Sequence, residues 1–213
     1  MAWAFARDGE EVVARLDSQE RALVRSLAEQ VRELVAPAGA STDQASLDPF
    51  EAIVAGIGPL TTDDPTSPTV PDELPERGFG HDEDRDPALD RLFPTGHRTD
   101  EQEATEFRRL TEASLRQRKG DQLAALIAAV DPEADDDEVR LAATTAPQVL
   151  TALTDIRLVM GERLGLRTDA DAERLDELVD ELDEDDPAVV ALMIYDFLTW
   201  LQETLAQALM GGE

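Results

Sequence analysis

The C-terminal part of the chain contains the sequence DPAVVALMIYDFLTWLQETLAQALM at residues 186–210, around which we expect the rest of the fold to be organised. Asp186 is a suitable N-cap, and Pro187 fits the first helical position because that position needs no backbone N–H donor. The segment is apolar on all sides from Val189 to Tyr195. Its later polar residues recur every three or four positions, at Asp196, Thr199, Glu203 and Gln207. This pattern predicts a core helix with one solvated edge.

The same segment is apolar enough to raise the question of a membrane span. A span needs roughly 18 or more consecutive apolar residues. Asp196 and Glu203 interrupt the run before that length is reached. Three aromatic residues instead place much of the large apolar surface of a core here, namely Tyr195, Phe197 and Trp200. We therefore expect no membrane association and a mainly α protein built around this helix.

The composition indicates one acidic domain over residues 1–213. An apolar content of 42% is enough for a hydrophobic core. The net charge of −29 repels the phosphates of nucleic acids and anionic lipids at long range. The charge is uneven, because residues 91–131 carry 7 basic and 7 acidic groups and form the one neutral block. Any nucleic-acid contact is therefore expected from that block.

The chain contains no cysteine, which excludes disulfides, a thiolate nucleophile and a thiol redox switch. The N-terminal residues MAWAFARDGEE lack a basic segment followed by an apolar run. No signal peptide is therefore expected, and a cytoplasmic location is predicted.

The N-terminal residues predict a small β element. Asp8 and Gly9 lie between two short alternating runs, and Asp-Gly is a strong hairpin signal because both residues tolerate a positive φ. We expect Trp3 and Phe5 on one face of this hairpin. Residues 139–142 are a candidate third short strand that joins it.

Three further segments precede the neutral block. Asp17 or Ser18 begins a helix that runs to about Ala36, with an Arg and Glu face interpreted as solvated surface. A short capped helix is predicted over residues 48–55. Residues 59–86 are rich in proline and acids, which predicts an acidic mobile linker within the domain. An interaction tail is the alternative for that linker.

Proline and glycine mark the ends of the remaining helices. Pro87 begins a short helix after Asp86, and Pro147 begins a later one that stops at Gly165. Between them, the spacing of Asp100 and Glu103 fits a capping box, and helical periodicity continues to residue 130. The sequence allows one bent helix or two, with a second start at Thr111 and a weak point at Gly120. A last acidic amphipathic helix begins at Asp169 or Asp171.

No arrangement of residues indicates catalysis, a metal or a cofactor. The two histidines, His81 and His97, lack the spacing that places two ligands on one helix face. The acidic clusters lack the alternating ligands and central glycine of a calcium loop. No phosphate-binding loop or Ser/His/Asp arrangement is present, so we expect a non-enzymatic protein.

One helix carries a basic patch in this acidic chain. Its members are Arg108, Arg109, Arg116, Arg118 and Lys119. All of them except Arg118 are predicted to share a helix face, from which Arg could contact phosphates or guanine. The alternative is an ordinary surface on which these residues pair with Glu106, Glu112 and the acidic blocks.

Three stretches of the sequence, in this order, resemble one family. They are RLFPTGHRTDEQEATEFRRLTEASLRQRKGDQLAALIAAV at 91–130, LTALTDIRLVMGERLGL at 150–166, and the C-terminal segment with YDFLTWLQETLAQALMG at 195–211. The combination of RLFP, EFRRLTE and YDFLTWLQETL is similar to an actinobacterial family long described as a domain of unknown function. That family was later named the AosR-type oxidative stress transcriptional regulators.

The resemblance implies a cytoplasmic transcription regulator of oxidative stress that binds promoter DNA and acts with RNA polymerase or a sigma factor. Redox sensing in that family is attributed to a cysteine pair, so a thiol switch is not expected in this cysteine-free chain. The alternative is an acidic protein interaction module that never touches DNA. The sequence leaves the oligomeric state open, and a homo-oligomer is among the states it allows.

Overall fold

The computed structural model describes residues 3–36, 86–94, 101–134, 136–168, 170–171, 174–175 and 186–211, with the side chains of residues 101–110 left out. The predicted helix at 48–55 lies outside these ranges, as do His81, His97 and the predicted linker except for Asp86. Only two short pieces of the predicted acidic helix after residue 169 are described.

The described residues form five helices and a small antiparallel sheet, which confirms the predicted mainly α fold. In chain order the elements are β1 (Trp3–Asp8), β2 (Glu11–Arg15), α1 (Ser18–Val35), α2 (Pro87–Leu92), α3 (Glu101–Ala129), β3 (Glu138–Ala142), α4 (Ala146–Arg163) and α5 (Pro187–Met210). The strand order is β1-β2-β3 with antiparallel pairing, so the predicted third strand does join the hairpin.

The hairpin forms as predicted, but its turn is shifted by one residue. Asp8 pairs with Glu11, so the two central turn residues are Gly9 and Glu10. Gly9 has a φ of 63°, and no described residue other than glycine has a positive φ. A positive φ at the first central position alone is the pattern of a type II′ turn, which takes glycine there.

The prediction that Trp3 and Phe5 share a face is wrong. Phe5 is buried in the core, whereas Trp3 is 65% exposed. The guanidinium carbon of Arg15 lies 5.6 Å from the centre of the Trp3 ring. The pairing register shifts between Trp3 and Ala6. An irregularity of this kind breaks the strict alternation of side chains, so residues two apart no longer point to the same side.

Helix α1 begins with the predicted cap but buries an arginine that the sequence had assigned to solvent. The Asp17 side chain accepts from the backbone N–H of Glu20, whose own side chain accepts from the backbone N–H of Asp17. Arg21 is only 2% exposed. It donates to three backbone carbonyls, those of Leu16 at 2.9 Å, Asp131 at 3.0 Å and Asp136. One guanidinium therefore joins the start of α1 to the segment between α3 and β3.

Residues Glu101–Ala129 form one helix, α3, that runs through Thr111 and Gly120 without interruption, so one helix forms rather than two. A glycine in a helix costs about 1 kcal/mol relative to alanine. Buried residues on the C-terminal side of Gly120, Leu123, Leu126 and Ile127, pack into the main core. Packing of α3 against α1 and α4 outweighs the local cost of glycine. The helix predicted at Pro87 begins there, and the helix predicted at Pro147 begins one residue earlier, at Ala146. That helix ends before Gly165, which has a φ of 72°, as predicted.

Helix α5 packs with one side against α4, β1 and β2. Asp186 accepts from the backbone N–H of Ala188 at 2.9 Å, as its predicted N-cap role requires. Leu198, Leu201 and Leu205 are almost fully buried and belong to the same core as residues of β1, β2, α1 and α4. Asp196, Glu203 and Gln207 are exposed, which confirms the solvated edge.

By length and composition, α5 could cross a membrane, and it is the one such helix in the described part of the chain. The core helix of a globular protein passes the same test. In this structure α5 packs against α4 and β1.

We expect Arg21→Met to lower the free energy of unfolding by about 2–4 kcal/mol, because three backbone carbonyls lose a donor that water cannot fully replace. Urea unfolding followed by circular dichroism measures the change. Arg25→Met is the matched control: Arg25 lies one helical turn later and makes an exposed pair with Glu29 at 2.9 Å. The control should cost less than about 1 kcal/mol. Equal losses in the two variants would contradict a structural role for Arg21.

Candidate nucleic-acid interface

Three of the five basic residues predicted to contact DNA can be located. Arg108 and Arg109 lie in α3, but their side chains are outside the described part of the structure. Arg116, Arg118 and Lys119 lie in the following turns of the same helix. The structure therefore tests the position of the C-terminal part of the predicted patch.

Arg116 is used within the fold to bind the end of another helix. Its guanidinium donates to the carbonyls of Val35 at 3.0 Å and Ala36 at 3.3 Å. These are carbonyls at the C-terminus of α1, where a cation is favoured by the helix dipole and by the carbonyls that lack helical partners. Glu112 pairs with the same guanidinium at 2.7 Å, and the Phe93 ring lies 4.9 Å from it. Arg116 thus connects α1, α2 and α3.

Lys119 forms an ion pair with a buried carboxylate. Its Nζ lies 2.6 Å from Oδ1 of Asp155 on α4, and the side chains are 16% and 3% exposed respectively. Lys119 also lies 5.9 Å from the centre of the Phe93 ring. Burial raises the pKa of the Asp155 carboxyl, and the hydrogen bond and charge of Lys119 oppose that rise. The pair therefore joins α3 to α4 at a position mostly hidden from solvent.

The second oxygen of Asp155 completes this description. Oδ2 is buried and has no hydrogen-bond partner among the described residues. A half-satisfied buried carboxylate depends strongly on the one cation beside it. Asp155 was not singled out from the sequence. The sequence feature that could have indicated a buried carboxylate is a single acid within the apolar run of α4, between Leu153 and Ile156.

Arg118 has a different environment from its neighbours in sequence. It is exposed, and no hydrogen bond or ion pair with a described residue is found for its side chain. A helix turns about 100° per residue, so Arg118 points away from the side shared by Arg116 and Lys119. Within the described part of α3, Arg118 is the member of the patch that remains available to a ligand.

The geometry divides the predicted patch into internal and external members. Arg116 and Lys119 do lie on one side of α3, as the sequence indicated, since both contact Phe93. That side faces α1, α2 and α4 rather than solvent. Contact with nucleic acid through Arg108, Arg109 and Arg118 stays a prediction. Among the described residues, no group of three or more His, Asp or Glu side chains is placed to hold a metal ion.

Family comparison adds the wider context for this arrangement. The model of a domain of unknown function, DUF2017, matches residues 2–209. The chain belongs to the DUF2017 family. The match spans both the N-terminal sheet and α5, so the DUF2017 unit includes every element described above. Comparisons with curated proteins and with solved structures found no match.

We expect Lys119→Met to lower the free energy of unfolding at neutral pH by about 3 kcal/mol, because it leaves the Asp155 carboxylate buried without a counter-charge. Replacing both partners, in Lys119→Met/Asp155→Leu, should restore most of that loss because no buried charge remains. Urea unfolding of the two single variants and the double variant measures the coupling. Additive losses in the double variant would show that the two side chains do not stabilise the fold as a pair.

The same single variant should depend on pH in a defined direction. Without Lys119, the pKa of Asp155 in the folded protein rises further above its unfolded value of about 3.9. The folded carboxyl then holds a proton at pH values where the unfolded one is ionised. Stability is therefore greatest below the unfolded pKa and is lost as the pH rises through the folded pKa. The deficit of Lys119→Met relative to the parent should shrink as the pH falls from 7 towards about 4. A deficit that stays constant would contradict this assignment.

Proposed function

We propose that this DUF2017 protein is a non-enzymatic transcription regulator of the AosR type, related to oxidative stress, in the cytoplasm of an actinobacterium. In this proposal it acts chiefly through contacts with RNA polymerase or a sigma factor. The resemblance of RLFP, EFRRLTE and YDFLTWLQETL to those regulators supports the transcriptional role. The absence of cysteine means that any oxidative signal reaches this chain by a route other than its own thiols.

We prefer protein contacts over DNA contacts because Arg116 and Lys119 are already bound within the fold. Two of the three located members of the basic patch bind a helix terminus and a buried carboxylate. Using them for phosphates would remove those internal contacts. The net charge of −29 also favours a protein partner over DNA, because it repels DNA at long range and attracts a basic protein surface.

Direct binding to promoter DNA is the second candidate function. The exposed position of Arg118, in the helix that also carries Arg108 and Arg109, favours it. Arg118 could contact a phosphate without breaking the contacts of Arg116 and Lys119, because it points away from their side of α3. The two candidates differ in which ligand is bound and in whether Arg118 matters.

We expect the purified protein to bind RNA polymerase holoenzyme of the same organism, with an affinity that weakens as salt is raised. We expect no preference for a promoter fragment over a scrambled duplex. Biolayer interferometry measures the first interaction, and fluorescence anisotropy at low and moderate salt measures the second. Arg118→Glu should leave polymerase binding unchanged, since reversing one charge changes little in a chain with a net charge of −29.

Arg32→Glu on α1 is the matched control for Arg118→Glu, because Arg32 is also exposed on a helix. Promoter-specific binding that falls steeply with salt and is lost in Arg118→Glu, but kept in Arg32→Glu, would favour the DNA-binding candidate instead. Arg116→Glu is unsuitable for this purpose because it would place a carboxylate against the C-terminal carbonyls of α1.

A further inference from the structure

One side of α5 exposes apolar residues that the core does not cover. We call this side the α5 strip and define it by Val190, Met193, Phe197 and Trp200. These positions are spaced by three, four and three residues, so they follow one side of the helix. Met193 is 65% exposed and Val190 is 38% exposed. Phe197 and Trp200 are half-buried.

The two aromatic residues give the α5 strip a fixed shape. Their rings are stacked with centroids 6.1 Å apart and an interplanar angle of 23°. Both also pack against the main core, which holds them in place while part of each ring stays accessible. Rigid, partly exposed aromatic side chains are typical anchors of protein interfaces. The strip therefore combines exposed aliphatic surface with two preformed anchors.

The charge around the α5 strip determines what could cover it. Asp196 and Glu203 are exposed on the same helix, and the whole chain carries a net charge of −29. A second copy of the chain would bring two strongly negative surfaces together. An acidic or nucleic-acid ligand would meet the same repulsion. A basic partner with an apolar face satisfies both the apolar strip and the acidic surroundings.

We propose that the α5 strip is the docking site for a basic amphipathic helix of a partner protein, with Phe197 and Trp200 as anchors. This proposal rests on the proposed function, because it supplies the surface through which the regulator binds the transcription machinery. An amphipathic helix fits because its apolar residues recur at the same spacing as those of the strip. Its lysine or arginine residues would lie near Asp196 and Glu203.

A pair of methionine variants tests the proposal. Met193→Arg places a cation in the strip, opposite a basic partner, and should weaken polymerase binding by about tenfold or more. Met210→Arg is the matched control, because Met210 is 76% exposed on the same helix but lies outside the strip. The control adds the same charge and should change the affinity by less than about threefold. Both sites are exposed, so neither variant should unfold the protein.

The outcomes separate this proposal from the proposed function. If both variants bind polymerase almost as well as the parent protein, the docking site is wrong although the proposed regulator function still stands. A homodimer in sedimentation equilibrium that Met193→Arg dissociates would make a second copy the occupant and overturn the basic partner. If the parent protein binds no polymerase, the proposed function fails, and the strip is tested with a defined peptide.

That peptide is a synthetic amphipathic helix of leucine and lysine, compared with the same helix carrying glutamate for lysine. Trp3→Phe leaves Trp200 as the one tryptophan of the chain, so its emission reports directly on the strip. The lysine peptide should shift the Trp200 emission to shorter wavelength in this background and in Met210→Arg. It should produce a much smaller shift in Met193→Arg. No shift with the lysine peptide, or an equal shift with the glutamate peptide, would overturn the proposal.

Discussion

The fold depends on the burial of one side of α5. Leu198, Leu201 and Leu205 can be removed from water only if the sheet and α4 close over them, since both elements pack on this helix. The first strand and the last helix are joined directly, because the backbone N–H of Phe5 donates to Thr204 Oγ1 across 199 residues of sequence. That hydrogen bond also covers part of an edge strand that would otherwise present donors to solvent. The N-terminal hairpin is thus stabilised by the far end of the chain.

The strongly acidic composition imposes a second constraint. Several of the basic side chains are used inside the molecule, where they stabilise the fold. Three arginines donate to backbone carbonyls near the ends of elements that are distant in sequence. They are Arg21, Arg91 and Arg116, which bind the carbonyls of Asp131, Leu166 and Val35 respectively. A guanidinium suits this role because it is always charged and carries five N–H donors in a rigid plane. Lys119 performs a related task with the buried carboxylate of Asp155. A cluster of basic residues in such a chain therefore indicates internal connections at least as strongly as it indicates an external ligand.

The sequence was most informative where the determining interaction is local. The caps at Asp17, Asp86 and Asp186 were predictable because each depends on residues within one turn. The uninterrupted course of α3 through Gly120 was not predictable, because packing against other helices decides it. The internal ion pair of Lys119 was also not predictable, because its partner Asp155 is 36 residues away in sequence. The faces of Trp3 and Phe5 were missed because a register shift in a strand leaves no clear mark in composition.

The net charge and the α5 strip are best understood together. The sequence described α5 as a core helix with one solvated edge, yet its apolar circumference is wider than the core requires, because Met193 and Val190 remain exposed. An exposed apolar strip promotes self-association. A net charge of −29 opposes that association, because every encounter between two copies meets long-range repulsion. The same charge does not oppose a basic partner. The negative charge therefore keeps copies of the chain from associating through the apolar strip. The strip stays accessible to a partner of opposite charge.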